Sequence, residues 1–296
     1  MAALVKCLIV LCAAVAASGY GLGEMDVIFH MFHRGSPSVS EPLLPTANSV
    51  MQSSFSPFRP TVITIHNSGD AATGNFNAYV VSAHLVAQDV NLIAVDWSAG
   101  SGMYSQGLAN AVQCGERIAS FINLLINIAA YGPENYRIVG IGLGAHIAGI
   151  AASFVSTGNI GHIVAIDPSL VGWTHHPHKL SADKALVTEV LHVTAGSLGY
   201  DYPLGKIDFY PNGGANQPNC ATDVSCSQNM GYVFYAESLA AGGSQFVATA
   251  CDSYEEAVGQ TCSGDKGVVF GGLADKSGVS GIYTFQTNRE PPFAQG

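Results

Sequence analysis

Apolar positions along the chain follow two periods that alternate. The β-branched runs "TVITIHNS", from Thr61, and "NLIAVDWSA", from Asn91, end in polar residues and read as buried parallel strands. Between them, "NFNAYVVSAHLVAQD" has helical spacing. Next, "YSQGLANAVQCGERIASFINLLINIAA" places Leu108, Val112, Ile118, Phe121, Ile122 and Leu125 on one helical face. Strand and helix keep alternating through "YRIVGIG", "AHIAGIAASF", "HIVAID" and "EVLHVTA". This order predicts an α/β fold with a mainly parallel central sheet, right-handed crossovers and helices on both sheet faces. Ahead of that block, "MDVIFHMFHR" reads as a half-alternating strand, followed by a Pro/Ser-rich connection to about Pro60. Beyond Ala195 the texture turns to Gly, Pro and Asn, which predicts loops with short strands at the ligand-binding edge of the sheet. "MGYVFYAESLA" reads as the last helix and "YTFQTN" as the last strand. No repeat or linker marks a second unit, so residues 19–296 read as a single domain.

Composition agrees with that outline. The 296 residues, 48% of them hydrophobic, suffice for one large domain with a substantial buried core. The amino-terminal "MAALVKCLIVLCAAVAASG" carries Lys6, an apolar run from Leu8 to Ala17 and small residues before Gly19, the pattern of a secretory signal cleaved after Ser18. That run is shorter than the ~20 residues a bilayer requires, and no later one reaches it, so no transmembrane anchor is expected. An extracellular, secreted protein is implied. Cys7 and Cys12 would leave with the signal, so Cys114, Cys220, Cys226, Cys251 and Cys262 face an oxidising compartment. Cys220 with Cys226, and Cys251 with Cys262, lie close together in polar, turn-rich stretches, where local bridges are expected. Cys114 sits in an apolar helical pattern and reads as a buried small hydrophobe. The formal charge of −10, without any Lys/Arg cluster, makes nucleic acid and anionic membrane surfaces poor partners, and no nucleic-acid binding is expected.

The candidate chemistry centres on "YRIVGIGLGAHIAGIAASF", where an apolar strand enters three alternating glycines and then a small-residue helix. Gly140, Gly142 and Ala145 satisfy a dinucleotide-binding G-x-G-x-x-G/A, with Asp167 at the end of the next strand. Pro168 directly after that acid, the turn's distance from the start of the sheet and the export signal oppose a dinucleotide site. A second reading is the G-x-S-x-G nucleophile elbow, complete here except that Gly142 replaces the serine. A third is a tight strand-to-helix turn whose glycines serve only packing and positive φ. Locally, the first and third are equally supported.

Longer-range segments change this balance. "AVDWS" (94–98), "RIVGIGLGAHIAG" (137–149), "AIDPS" (165–169), "DFYPNGGANQPNC" (208–220), "YAESL" (235–239) and "ACDSYEEAVGQTC" (250–262) each resemble a segment of the pancreatic lipase family, including its insect relatives, in family order. The resemblance implies an α/β-hydrolase fold. It places Gly142 at the nucleophile position and Asp167 at the triad acid. The catalytic histidine should follow the second lid cysteine, Cys226, by two residues, where this chain has Gln228. Hydroxyl and imidazole are then both missing, and neither attack nor proton acceptance is available. In the oxyanion loop, His66-Asn67 replaces the family's His-Gly, so Asn67 departs from the pattern while Leu143 keeps its backbone N–H; a half-formed hole is expected. The lid between Cys220 and Cys226 is short and should leave an apolar groove open. The family's carboxy-terminal β-sandwich is not found after Phe285.

Other polar groups read as structural. Family members carry a helical histidine at the place of His146, distinct from the base. Ser98 and Ser101 lack an evident partner base, and His175, His176 and His178, interrupted by Pro177, read as an exposed loop. The family's calcium pattern is not reproduced, so no metal and no cofactor are expected. The combined expectation is a secreted, catalytically degenerate lipase homologue of the insect neutral lipase or yolk-protein-like branch. It would act in lipid binding, storage or defence, with a lipid or other apolar ligand in the vacant cleft; its protein partners are unknown from sequence. The alternative is an active or residually active triacylglycerol lipase or phospholipase A1-type ester hydrolase in digestion or lipid catabolism.

Overall fold

The computed structural model describes residues 21–23, 25–240 and 245–296. The expected signal at 1–18 lies outside the described residues. Strands β1 (Ile28–His33) and β2 (Ser36–Leu43) form an antiparallel hairpin, followed by a short helix α1 (Ala47–Met51). The stretch expected to be only a connection therefore contains a strand and a helical turn. Its prolines are tolerated because β2 is an edge strand, where N–H groups on the open side have no ladder partner to lose.

The strand–helix alternation follows as β3 (Thr61–Ile65), α2 (Asn75–Ala87), β4 (Asn91–Asp96), α3 (Tyr104–Ile128), β5 (Tyr136–Ile141), α4 (Leu143–Ser153), β6 (His162–Ile166) and β7 (Val187–Leu191). The remainder contributes β8 (Ile207–Phe209), α5 (Val224–Ser238), β9 (Val247–Cys251), α6 (Tyr254–Gly259), β10 (Lys266–Val269) and β11 (Gly281–Thr284). Two expectations are corrected. Helix α5 starts at Val224 rather than Met230, because the Asp223 carboxylate caps it by accepting the Cys226 N–H at 2.9 Å and the Cys220–Cys226 disulfide fixes its entry. Helix α6, opened by a Ser253 cap and tied to its surroundings by the Cys251–Cys262 disulfide, follows what was read as the last helix.

Among the described residues the strands form one eleven-stranded sheet in the order β10-β9-β11-β8-β7-β6-β5-β3-β4-β1-β2. From β11 to β4 all neighbours are parallel, and antiparallel pairs finish both margins. Two apolar layers sandwich it. On one face Ile118, Phe121, Ile122 and Leu125 of α3 pack with Ile147, Ile150 and Ala151 of α4; on the other, Phe76, Val80 and Leu85 of α2 pack with Phe234 and Tyr235 of α5. Leu108 and Val112 lie at the margin of the α3 contact, only partly buried. Cys114 is a free, buried thiol whose pKa burial pushes up, so it behaves as a packing residue.

One charged cluster interrupts the second layer. Glu189 of β7, fully buried, bonds Lys276 Nζ at 2.5 Å, His162 Nε2 at 3.0 Å and the Gly271 N–H at 2.8 Å. Burial raises its pKa, but the Lys276 ammonium and the His162 bond outweigh that and hold the carboxyl at about 2 against an ordinary 4.5. With the folded-state value below the unfolded one, this contribution is complete above about pH 4.5 and is lost as pH falls toward 2. The urea midpoint should therefore drop on acidification through that window. Lys276→Ala, which strands the carboxylate, should cost about 3–5 kcal/mol at neutral pH by urea unfolding. A loss below about 0.5 kcal/mol, the level of an ordinary surface change, would contradict this account.

Candidate functional site

The site forms where α4 meets the carboxyl ends of the parallel strands. Helix and sheet approach so closely that a Cβ at Gly144 would lie 2.2 Å from the carbonyl oxygen of Ile65 in β3. At the apex of the turn Gly142 has φ 58° and ψ −117°, a conformation glycine adopts without strain. Its N–H donates to Ile166 O at 3.0 Å and its carbonyl accepts Ser169 N–H at 3.2 Å, which ties the turn to the end of β6. Residues just past β3, β6 and β7 are thereby brought to one point.

Asp167, the residue after β6, is completely buried at φ 46°. Its Oδ1 accepts the N–H groups of Val193 at 3.0 Å and Thr194 at 2.9 Å; its Oδ2 accepts the Thr194 hydroxyl at 2.5 Å and Gln228 Nε2 at 2.9 Å. Four donors thus satisfy both oxygens of a carboxylate that would otherwise be costly to bury. From α5, Gln228 turns its Oε1 toward Asn67 Nδ2 at 3.3 Å. Asn67 Oδ1 in turn accepts two backbone N–H groups, Ser68 at 2.9 Å and Leu143 at 3.0 Å. An unbroken chain of hydrogen bonds therefore runs from Asp167 through Gln228 and Asn67 to the first residue of α4. The Asn67 backbone is fixed as well: His66 Nε2 accepts the Trp97 N–H at 3.1 Å, which leaves Nδ1 to donate to Asn67 O at 2.7 Å.

All five residues named for the site, Asn67, Gly142, Leu143, Asp167 and Gln228, meet here. Two participants were not legible beforehand. Ser68, rather than Asn67, supplies the second converging N–H, so the pair of donors is complete where a half-formed one was expected. The other is Thr194: nothing in "EVLHVTA" marks its hydroxyl as a partner of Asp167. In chemical terms, two N–H groups aimed at one oxygen are the geometry that stabilises a developing oxyanion. The side chains of Asn67 and Gln228 linked to them are amides, which neither attack a carbonyl carbon nor accept a proton at neutral pH. The Thr194 hydroxyl is buried, with its proton on Asp167 and its oxygen accepting Gly199 N–H at 2.9 Å.

The other candidates stand apart. His146 donates from Nε2 to Ser169 O and accepts Leu180 N–H at Nδ1 while stacking on Trp173; burial pushes its pKa down to about 3, so it is neutral with both nitrogens engaged. Among the described residues the buried Ser101 hydroxyl has no hydrogen-bond partner, and Ser98 donates its N–H to Asp96. His176 packs on Trp173 and accepts the His178 N–H. Among the described residues there is no grouping of three or more His, Cys, Asp or Glu side chains suited to a metal. An apolar cavity of about 710 Å³ opens between the β1–β2 hairpin and α3, lined by Val27, Phe29, Leu43 and Leu44 among others, and it does not include the Asp167 network.

The profile of the Lipase family matches residues 8–276, nearly the whole chain. The chain belongs to the lipase family. Within it, the chain is similar to pancreatic triacylglycerol lipase from Myocastor coypus (27% identity over 79% of this chain and 57% of that protein). It is also similar to pancreatic lipase-related protein 2 from Cavia porcellus (31%, 70% and 50%) and phospholipase A1 member A from Mus musculus (32%, 67% and 43%). It therefore spans about half the length of these curated relatives. Solved structures similar to it include an α/β-hydrolase enzyme from a deep-sea metagenome library of the Medee basin (14% identity, TM-score 0.35, 50% of this chain and 61% of that one). Another is Thermogutta terrifontis esterase 2 (16%, 0.34, 50% and 67%). This lipase-family chain has the expected α/β-hydrolase architecture, with a mainly parallel central sheet between helical layers.

In this lipase-family site the Gln228 amide serves the buried carboxylate. Gln228→Ala should remove one of the four donors to Asp167 and lower stability by about 1–3 kcal/mol in urea unfolding. A half-buried Gln228 that contributes nothing to Asp167 would instead leave the midpoint unchanged.

Proposed function

We propose that this chain is an exported lipase-family protein without ester hydrolysis, in which Gly142 stands at the nucleophile position, Gln228 at the base position and Asp167 at the retained acid. The observation that carries this is the amide chain itself: Gln228 satisfies Asp167 as a donor, yet its other end is a carbonyl oxygen bound to Asn67. An imidazole at that place would present a proton acceptor to a serine hydroxyl; here there is neither acceptor nor hydroxyl. The two disulfides favour an oxidising, extracellular setting. Binding, storage or defence is the role that remains, with a lipid or other apolar ligand as cargo. Space for apolar cargo is offered by the cavity between the β1–β2 hairpin and α3.

A second reading is favoured by one observation. The converging Ser68 and Leu143 N–H groups are the donors that an active or residually active triacylglycerol lipase or phospholipase A1-type hydrolase would use. Enzyme assay separates the two. The purified natural protein should turn over neither a short-chain ester nor a phospholipid, and a fluorophosphonate should leave every serine unlabelled. Sustained turnover with label on one serine would overturn the non-hydrolytic proposal in favour of the second reading. Mass spectrometry of an organic extract of the native protein should detect bound lipid; a clean extract would remove lipid carriage from the role.

A further inference from the structure

We propose that Asn67 acts as a built-in occupant of the oxyanion hole, so that this site is held out of catalysis by three residues rather than two. The proposal rests on the assignment of Gly142 and Gln228 to the nucleophile and base positions, and adds to it a specific blocking group. Asn67 Oδ1 sits where the N–H groups of Ser68 and Leu143 converge, at 2.9 and 3.0 Å, the place and distances at which a substrate oxyanion would be held. A carboxamide oxygen carries the partial negative charge such donors are aimed at. Leu143 is the first residue of α4, and its N–H has no partner within the helix, so the Asn67 oxygen serves as its cap.

The same side chain also fills the volume above the turn. A Cβ built on Gly142 would lie 2.3–2.4 Å from Asn67 Cγ, Oδ1 and Nδ2, well inside van der Waals contact. A serine at 142 and Asn67 in this position are therefore mutually exclusive. Gln228 completes the exclusion, because its Oε1 accepts from Asn67 Nδ2 and steadies the carboxamide in place. The residues at 67, 142 and 228 thus form one consistent alternative to a catalytic site: glycine makes room, asparagine fills it, and glutamine joins the filler to the buried acid. The hole is intact underneath, since both donors are backbone groups fixed by the β3 and α4 termini.

Two measurements test the proposal independently. Backbone hydrogen exchange is read first, in the natural protein against Asn67→Gly and Asn67→Ala, the latter avoiding added backbone freedom. The Ser68 and Leu143 amides should exchange at least about tenfold faster in both variants, while the β5 and β6 amides stay unchanged. Unchanged rates at Ser68 and Leu143 would overturn the proposal whatever the activities. Hydrolysis of 4-nitrophenyl butyrate is then compared for G142S/Q228H and N67G/G142S/Q228H. The triple variant should exceed the double by about 100-fold or more in kcat/KM, the effect of restoring oxyanion donors. Equal, measurable activity in the two would overturn the block while leaving the two-residue loss intact. If neither variant hydrolyses the ester, the exchange result alone decides. Turnover by the natural protein would instead remove the assignment on which the proposal rests, and the exchange rates would still report whether Asn67 caps the two amides.

Discussion

The contact on which the site depends is the close approach of the amino end of α4 to the end of β3. It requires Gly144, whose missing Cβ lets backbone touch backbone, and it brings the N–H of Leu143, which has no partner within its own helix, next to the segment His66–Ser68. A helix start is electropositive and short of acceptors, so whatever oxygen lies opposite is drawn in. In a hydrolase that oxygen would belong to substrate. Here the chain supplies it from Asn67.

The buried carboxylate imposes a second requirement, which explains why position 228 holds an amide. Asp167 is inaccessible to water and needs donors on both oxygens; two backbone N–H groups and the Thr194 hydroxyl provide three, and Gln228 the fourth. A side chain without a donor there would leave part of a buried charge unsatisfied. A glutamine can donate to the acid, as a histidine can, and cannot accept a proton as a histidine does. On the proposed assignment of position 228, structural and chemical demands on the site are separable, and the structural one is met here.

The remaining polar features lie outside the Asp167 network. His146, His176 and His178 are absorbed into an aromatic stack on Trp173, and Glu189 with Lys276 and His162 is an ionic anchor inside the opposite layer. The two disulfides secure the loops around α5 and α6, where short elements have little core of their own.

Periodicity in the sequence determined the α/β layering, because strands buried on both faces and helices with one apolar stripe leave few other ways to exclude water. Motif order along the chain, through the family resemblance, singled out Gly142, Asp167 and Gln228, residues that the fold brings to one point. Periodicity did not disclose β2, an edge strand that needs no continuous apolar run, or the early start of α5, which depends on a cap and a crosslink. Only the tertiary structure decided what Asn67 does. Its partners, Ser68, Leu143 and Gln228, arrive from three separate segments, and a hydrogen bond between side chains distant in sequence leaves no periodic trace. Whether a polar residue beside a catalytic turn assists chemistry or occupies its space is a matter of a few tenths of a nanometre, set by packing rather than by residue type.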